Sequence, residues 1–547
     1  MNKKLQKLHT NSALSHSSPC SSHYGNTKAP TRILVAIGTI LALLLQISTA
    51  LALPPGWGND LRLTVDPSFS GFSRHTIDAT GNAYIVWQDH RDAPASGEIY
   101  FTKVDPDGAT LVPATRLTTD AALSWFPSVA RDASNNIYVA WMDDRDGNSE
   151  IYLEQLNSSG ATLINDFRAT IDPADSTLPA IAVDSLGHIH LAWAEGRDGN
   201  AEIYYREWQV SAGTFAAVTP EIRLTTDGAI SWQPTIAVDS ANSAHIVFID
   251  DRDGDSDLRY VKVTAGAISV ADTSLMNNTG DSSFPSVARD PFNQLHIAWM
   301  DSTSGNPEIN YMKVNNSGGV IIGPTALTSN PSSSWWPQIS SDASGYAQIS
   351  WVDDRNGNFE VYYERLNTAG SVVVNDLRLT TDPAESLLPA VLADIYSNLR
   401  ITWLDTRDTN EEIYFKKSLR PTLTANTVGA QITFNLSDPI NPGAFYWLFL
   451  SLGSTPGIPL GDGRTVGLNP DGAFFLSFDP LLMTLIGFTG NQGNLDASGS
   501  AVPVWNVNTA IVPSGIPLKA AIVTLDASLG APYGIVSISN TVDIVTP

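Results

Sequence analysis

The residues of this chain that could do chemistry recur in copies rather than as a single set. An Asp-Arg-Asp-Gly-Asn run, or a close variant, follows a short apolar segment in six copies; in another copy Asp301-Ser-Thr-Ser-Gly305 replaces it. An arginine that recurs in this way is better explained by a repeated turn or ion pair than by one active site. The six arginines are Arg91, Arg145, Arg197, Arg252, Arg355 and Arg407.

Tryptophans share a second repeated position. Trp125, Trp232 and Trp335 occupy it in alternate copies, and Trp336 follows directly. Exposed indoles beside arginines and carboxylates suit a sugar platform or a peptide groove, through stacking combined with directional hydrogen bonds. The alternative is that each indole packs between neighbouring repeats. The predicted ligand-binding set is Trp125, Trp232, Trp335, Trp336, Arg145, Arg252 and Arg355.

One copy is rich enough in oxygen donors to suggest a metal. Asp251, Asp253, Asp255 and Asp257 alternate with other residues, which is the donor density that Ca²⁺ favours. Gly254 comes too early for an EF-type loop, so an ion-free turn is the alternative. Apart from this calcium candidate we expect no cofactor.

Histidines and cysteine offer no further metal set. His190, His245 and His296 share one strand position in consecutive copies, which places them too far apart for common ligation. The single cysteine, Cys20, precedes the one long apolar run, so the mature protein is expected to have no disulfide.

No catalytic signature stands out. The chain has no Gly-x-Ser-x-Gly elbow and no His-Glu-x-x-His motif, and no pair of acids differs from the repeat. We also expect no arginine to stand apart from the repeat. An enzyme would have to use positions that break the symmetry, such as His90, Glu195 or Asp301.

The elements that position these residues are the strands of a repeat about 50 residues long. The aromatic residues that end one strand of each copy lie 51 to 55 residues apart: Trp87, Trp141, Trp193, Phe248, Trp299, Trp351 and Trp403. Each copy reads as four short strands, with an Asp-x-x-(Gly/Asn/Ser) turn between the first and second. Four antiparallel strands per unit are typical of a propeller blade. The sequence therefore predicts an all-β, seven-bladed β-propeller.

The ring is expected to close through the N-terminus. The Arg-Leu-Thr strand first occurs at Leu61–Thr64, before any complete copy, and the last copy lacks one. The N-terminal strand should therefore complete the seventh blade and remove its free edge.

Composition divides the chain into three parts. Residues 1–52 combine basic residues, an apolar run from Ile33 to Leu45 and an Ala50-x-Ala52 site, which predicts an export signal peptide; an uncleaved signal anchor is the alternative. Residues 53–420 are the predicted propeller. Residues 421–547 lose the repeat and alternate short strands with Gly/Pro turns, which predicts a β-sandwich accessory domain.

Charge limits the partners. Thirty-one Lys+Arg against 56 Asp+Glu give a formal net charge of −25, which argues against nucleic acid and anionic membranes. A protein or a glycan is the expected ligand of an exported protein that, after signal cleavage, has no membrane span.

The repeat resembles that of TolB-type (WD40-like) exported bacterial propellers. The resemblance covers residues 61–416 and rests on the run from Asp144 to Tyr152 and the Arg-Leu-Thr strands. It implies a protein-binding scaffold without catalytic residues. Seven copies instead of six, and no preceding α/β domain, put a Tol-system role in doubt.

A weaker resemblance is to the sialidase-like propeller superfamily. The Asp-box of that superfamily is not reproduced, because Asp184, Gly187 and Trp193 have different spacing. The resemblance would imply an arginine triad for a substrate carboxylate and a Tyr/Glu nucleophile pair.

Three functions follow from the sequence. The leading hypothesis is a non-catalytic exported propeller that binds a protein or glycan on its tryptophan-bearing face. The alternatives are a sialidase-like glycoside hydrolase or lyase, and a structural component of the envelope or cell surface.

Overall fold

The computed structural model describes residues 56–92, 96–395 and 397–419 of the repeat region, and parts of the segment beyond it. Those parts are residues 422–428, 431–438, 445–451, 458–459, 465–466, 468, 488–489, 492–496, 499–506, 517–525, 535–538 and 541–545. The predicted signal peptide and Cys20 lie outside the described residues. Among the described residues, no helix has the length and apolar character needed to cross a bilayer.

The repeat region is built of antiparallel sheets, as the alternation of short β-branched segments and turns predicts. Strand β1 is Leu61–Arg62. Sheet 1 consists of β2 (Ser70–Ile77), β3 (Ala83–Asp89), β4 (Glu98–Val104) and β5 (Thr110–Arg116). Sheet 2 consists of β6 (Ser124–Arg131), β7 (Ile137–Asp143), β8 (Glu150–Leu156) and β9 (Thr162–Arg168). Sheet 3 consists of β10 (Ser176–Val183), β11 (Ile189–Glu195), β12 (Glu202–Ser211), β13 (Thr214–Ala217) and β14 (Ile222–Arg223).

The remaining sheets of the repeat region follow the same order. Sheet 4 consists of β15 (Ser231–Val238), β16 (Ala244–Asp250), β17 (Asp257–Thr264) and β18 (Ala267–Ser274). Sheet 5 consists of β19 (Ser282–Arg289), β20 (Leu295–Asp301), β21 (Glu308–Val314) and β22 (Val320–Ala326). Sheet 6 consists of β23 (Ser334–Ser341), β24 (Ala347–Asp353), β25 (Glu360–Leu366) and β26 (Val372–Arg378). Sheet 7 consists of β27 (Ser386–Ala393), β28 (Leu399–Asp405), β29 (Glu412–Lys417) and β1.

These sheets form a β-propeller. The first strands of consecutive sheets are neighbours all the way round, including β27 and β2. The N-terminal β1 pairs antiparallel with β29, with Leu61 opposite Phe415. Between sheets 7 and 1, the backbone N–H of Ser70 donates to the carbonyl of Glu411 at 2.9 Å. Innermost strands arranged in this way enclose the central channel of a propeller.

The turn between the first and second strands has the predicted chemistry. In sheet 1, Asp78 Oδ1 accepts hydrogen bonds from the backbone N–H groups of Thr80 and Asn82, both at 2.9 Å. The residue three positions after each such aspartate has a positive φ, which Gly and Asn tolerate best. These residues are Gly81, Asn135, Gly187, Asn242, Asn293, Gly345 and Ser397.

The core lies between the sheets. The aromatic residues that end the second strands are buried, and Trp141 and Trp299 are fully inaccessible to solvent. One cluster joins Tyr138 and Leu153 of sheet 2 to Leu191 and Trp193 of sheet 3. Comparable clusters join the other neighbouring sheets, so each sheet is covered on both faces.

Beyond residue 420 the described strands form two larger antiparallel sheets. The first joins β30 (Thr422–Val428), β31 (Gln431–Ser437), β35 (Phe488–Thr489), β37 (Ser500–Ala501) and β38 (Val504–Asn506). The second joins β32 (Phe445–Ser451), β36 (Gln492–Asn494), β39 (Pro517–Leu525), β40 (Ile535–Ile538) and β41 (Val542–Val545). A short pair, β33 (Ile458–Pro459) and β34 (Thr465–Val466), stands apart. Buried side chains of both larger sheets, such as Phe434 and Ile522, belong to one hydrophobic cluster.

Candidate functional site

The repeated arginines hold the turns between the second and third strands. In sheet 2, Arg145 Nη2 lies 2.7 Å from an oxygen of Asp143 and 2.6 Å from one of Asp120. Its guanidinium also lies over the Tyr152 ring, 4.3 Å from the centroid. Asp143 in turn accepts hydrogen bonds from the Ser124 hydroxyl and the Trp141 indole. The arginine therefore belongs to a network formed by sheet 2 and the segment that precedes it.

The other two arginines of the predicted ligand-binding set are held in the same way. Arg252 contacts Asp250, Asp227 and Asp272, and the hydrogen bond to Asp250 raises the pKa of its guanidinium above the usual value. Arg355 is bound by Asp353 and Asp376. Guanidinium groups so enclosed by carboxylates have few donors left for a ligand.

The predicted tryptophans lie at the start of the first strands. Trp125 is half-buried and packs against the cluster shared by sheets 2 and 3. Trp232 and Trp335 pack in the same way against the clusters of sheets 4 and 5 and of sheets 6 and 7. This is the placement expected if each indole packs between neighbouring repeats. A role of these indoles in binding stays a prediction.

The residue after each of these positions forms a ring of a different kind. It has a φ near +50° in every first strand, where the register shifts by a β-bulge. We call this set the bulge ring: Phe72, Phe126, Leu178, Gln233, Phe284, Trp336 and Leu388. Positive φ is unfavourable for side chains of this size, and bulges commonly redirect a side chain beside a functional site.

Members of the bulge ring contact one another across sheet boundaries. The Phe72 and Phe126 rings meet edge to face with centroids 4.8 Å apart. Phe284 lies 6.4 Å from Trp336, centroid to centroid, and its backbone N–H donates to Gln233 Oε1 at 2.7 Å. These five members thus form a mainly aromatic collar in two arcs on the strands that enclose the channel, one arc of Phe72 with Phe126 and one of Gln233, Phe284 and Trp336.

Two residues beyond the bulge ring, the first strand of sheet 1 carries an arginine that breaks the repeat. Arg74 is half-buried, and its guanidinium donates to the carbonyl of Ser73 at 3.0 Å. It forms no ion pair with a carboxylate in the described part of the chain. Burial lowers the pKa of Arg74 below its usual value, since no neighbouring anion offsets the loss of solvation.

The expectation that no arginine stands apart from the repeat is therefore wrong. The signal was present in the sequence, because the other six copies carry a small or neutral residue where sheet 1 has Arg74. Those residues are Ser128, Ala180, Thr235, Ser286, Gln338 and Ala390.

The aspartates proposed for calcium differ in surroundings. Asp251 accepts a hydrogen bond from the Ser256 hydroxyl at 2.6 Å, and Asp253 lies 3.9 Å from Arg259. Burial, together with repulsion from Asp255, Asp253 and Asp301, raises the pKa of Asp257 to about 6. Calcium binding here stays a prediction.

The symmetry-breaking positions have structural partners. Glu195 accepts hydrogen bonds from the Ser176 hydroxyl and the Trp193 indole, as Asp89, Asp143 and Asp405 do from the corresponding residues of their sheets. Asp301 accepts from the Asn278 amide at 2.8 Å. His90 lies 3.0 Å from the Gln88 amide and packs against Phe69.

Comparison with known proteins finds similarity to solved structures at low sequence identity. No protein-family model and no curated protein matches the chain. A protein of unknown function from Dyadobacter fermentans is similar over 67% of this chain and all of its own, with 10% identity and a TM-score of 0.41. An α-L-arabinanase of Penicillium chrysogenum complexed with arabinobiose is 11% identical over 66% of this chain and 98% of its own, with a TM-score of 0.41. A GH93 α-L-arabinofuranosidase of Fusarium graminearum is 10% identical over 66% and 98%, with a TM-score of 0.40.

Proposed function

We propose that this protein is an exported propeller that binds an acidic carbohydrate at the bulge ring and Arg74. In this proposal sheets 1 to 7 are the seven blades of the ring within residues 53–420. Residues 421–547 form a β-sandwich accessory domain, and residues 1–52 direct export. The TolB-like repeat supplies the scaffold.

The observation that carries the proposal is the unpaired charge of Arg74. The protein has a net charge of −25, and the arginines of the repeated turns are surrounded by carboxylates. Arg74 lies instead on a channel-enclosing strand without an anionic partner among the described residues. A guanidinium presents paired N–H groups that match a carboxylate, so an acidic ligand would supply the missing anion.

The bulge ring supports carbohydrate as the ligand class. Phe72 lies two residues before Arg74, and Phe126 lies on the adjacent first strand. Trp336 belongs to the same collar. Aromatic faces pack against the apolar face of a sugar while polar groups fix its orientation. A uronic-acid oligosaccharide combines both requirements.

A sialidase-like glycoside hydrolase or lyase is the second candidate, and Arg74 is the observation that favours it. Such an enzyme also needs a group that moves a proton. Asp144, in the turn between β7 and β8, is a candidate because burial raises the pKa of its carboxyl. Its Oδ1 accepts the Ser149 hydroxyl at 2.5 Å.

A panel of neutral and uronic-acid oligosaccharides, assayed for binding and for cleavage, tests both candidates. The proposal predicts binding of an acidic member without cleavage, and loss of binding in Arg74→Ser. Serine is the matched replacement, since Ser128 and Ser286 hold this position in sheets 2 and 5. Cleavage that Asp144→Asn abolishes would establish the enzyme instead. Binding that is equally strong in Arg74→Ser would refute the site.

A further inference from the structure

In three sheets the aspartate of the first turn forms an ion pair with a cation on the third strand. In sheets 4 and 5 that partner is a lysine: Lys262 Nζ lies 3.0 Å from Asp239, and Lys313 Nζ lies 3.0 Å from Asp290. In sheet 6 it is Arg365, at 2.8 Å from Asp342. A cation thus balances the buried carboxylate in these sheets.

Sheet 3 reverses this charge. The third-strand residue in the same register is Glu207, opposite His190 just as Lys262 is opposite His245. Asp184 and Glu207 are 6% exposed each, so a buried carboxylate of the first turn lies beside a buried carboxylate of the third strand. No lysine or arginine of the described residues forms an ion pair with either of them. Among the described residues, the basic side chains within ion-pair distance of them are those of His188 and His190.

Three of these side chains, those of Asp184, His188 and Glu207, have ligand atoms within 4.8 Å of one another, and His190 lies beside Asp184. His188 Nδ1 lies 2.8 Å from Glu207 Oε1 and 3.4 Å from Asp184 Oδ2. His190 Nε2 lies 3.5 Å from the same Asp184 oxygen. Nitrogen and oxygen ligands at the usual zinc distances are about 3.3 Å apart along a tetrahedron edge. Asp184, His188 and Glu207 are also mutually within reach of one ion.

Two buried atoms at this turn lack hydrogen-bond partners. They are Asp184 Oδ2 and His190 Nε2, and the His190 side chain is almost fully buried. Both residues have their other polar atom engaged: Asp184 Oδ1 accepts from the Leu186 and His188 backbones, and His190 Nδ1 lies 2.6 Å from the Tyr205 hydroxyl. If Nδ1 donates to Tyr205, Nε2 keeps the lone pair that a metal requires.

We propose that Asp184, His188, His190 and Glu207 bind a divalent transition-metal ion, with zinc favoured by two imidazoles and two carboxylates. The ion would take the place that lysine holds in sheets 4 and 5, and would tie the first turn to the third strand. His190 facing its turn aspartate is common to sheets 3, 4 and 5. The glutamate and the second histidine are particular to sheet 3 among the described sheets.

Zinc titration of the metal-stripped protein, followed by calorimetry, tests this proposal. One zinc ion should bind per chain with a dissociation constant below about 10 µM, and should raise the melting temperature. Glu207→Lys, His188→Asn and His190→Gln should each weaken binding by more than about tenfold. Each variant takes the residue of another sheet at that position, namely Lys262, Asn136 and Gln348, so the fold should tolerate it. His245→Gln in sheet 4 is the control that should bind zinc as the unmodified protein does.

Two results would overturn the proposal. One is the absence of stoichiometric zinc binding; the other is binding that Glu207→Lys and His188→Asn leave unchanged. If a variant does not fold, X-ray absorption of the zinc-loaded unmodified protein decides the matter. Two imidazole ligands in the shell are expected, and a shell without histidine would contradict the site.

Discussion

Two buried carboxylates on adjacent strands of sheet 4 have pKa values that are shifted in opposite directions. Asp250 and Asp257 are paired in register on β16 and β17. Burial alone would raise the pKa of Asp250, but hydrogen bonds from Arg252 and Ser231 lower it below the usual value. Asp257 lacks such an arginine, and burial and neighbouring aspartates raise its pKa to about 6. The two residues should therefore affect stability in opposite directions.

Asp257→Asn is expected to stabilise the protein at pH 7.5. A carboxyl whose pKa is raised in the folded state binds its proton more tightly there than in the unfolded state. Its ionisation therefore destabilises the folded protein increasingly as the pH rises from about 4 to about 6. The gain in melting temperature over the unmodified protein should be full at pH 7.5 and vanish near pH 4. Thermal unfolding followed by circular dichroism measures it.

Asp250→Asn is the matched control. Its folded pKa is lowered, so the native carboxylate stabilises above the unfolded pKa, and the variant should lose stability at pH 7.5. A gain in stability by Asp250→Asn, or none by Asp257→Asn, would contradict the assigned electrostatics.

At the scale of the elements, the turn between the first and second strands allows the effect of a positive φ on stability to be measured separately from side-chain contacts. Its third position after the aspartate is Gly187 in sheet 3, at φ +84°, and Ser397 in sheet 7, at φ +62°. A Cβ at Gly187 would meet no atom within 4 Å, so only the left-handed conformation opposes a side chain there.

Gly187→Ala should therefore destabilise the protein by about 1 to 2 kcal/mol, the cost of a left-handed residue with a Cβ. Ser397→Gly should stabilise it by about 1 kcal/mol, since glycine adopts this conformation freely. Urea unfolding compares both with the unmodified protein. Equal stabilities of all three proteins would show that these turns do not impose the positive φ.

At the scale of the whole molecule, closure of the ring depends on two short segments distant in sequence. Arg62 Nη2 lies 2.7 Å from Glu412, and the Thr64 hydroxyl accepts the backbone N–H of Ile413 at 2.8 Å. Deleting residues 53–69 removes these contacts and leaves β29 as a free edge, which favours aggregation.

We expect that deletion to lower the melting temperature and to produce soluble aggregates, measured by calorimetry and light scattering. A deletion of equal length within residues 1–52 should leave both readings unchanged. A truncated protein that melts like the full chain and stays monodisperse would show that β1 does not close the ring.

Features that all copies share were predicted from the sequence. Residues of the candidate site that occur in one copy only were not predicted. The seven Asp-x-x-(Gly/Asn/Ser) turns and the pairing of β1 with the last copy follow from local chemistry and counting. The positive φ of the bulge ring was not predicted, because residues such as Phe72 and Trp336 are not the glycines that this conformation usually requires. The proline that follows the bulge residue in six of the seven copies marks the position without specifying its φ. Arg74 and Glu207 become visible only when the copies are compared position by position.

The central claim, that Arg74 binds the carboxylate of an acidic sugar, is tested most directly by calorimetry with two ligands. One is a uronic-acid oligosaccharide that binds, and the other is the same oligosaccharide with its carboxyl groups reduced to alcohols. The unmodified protein should prefer the acidic form, and Arg74→Ser should lose that preference while keeping its melting temperature. An equal preference in both proteins would contradict the claim and place the carboxylate elsewhere.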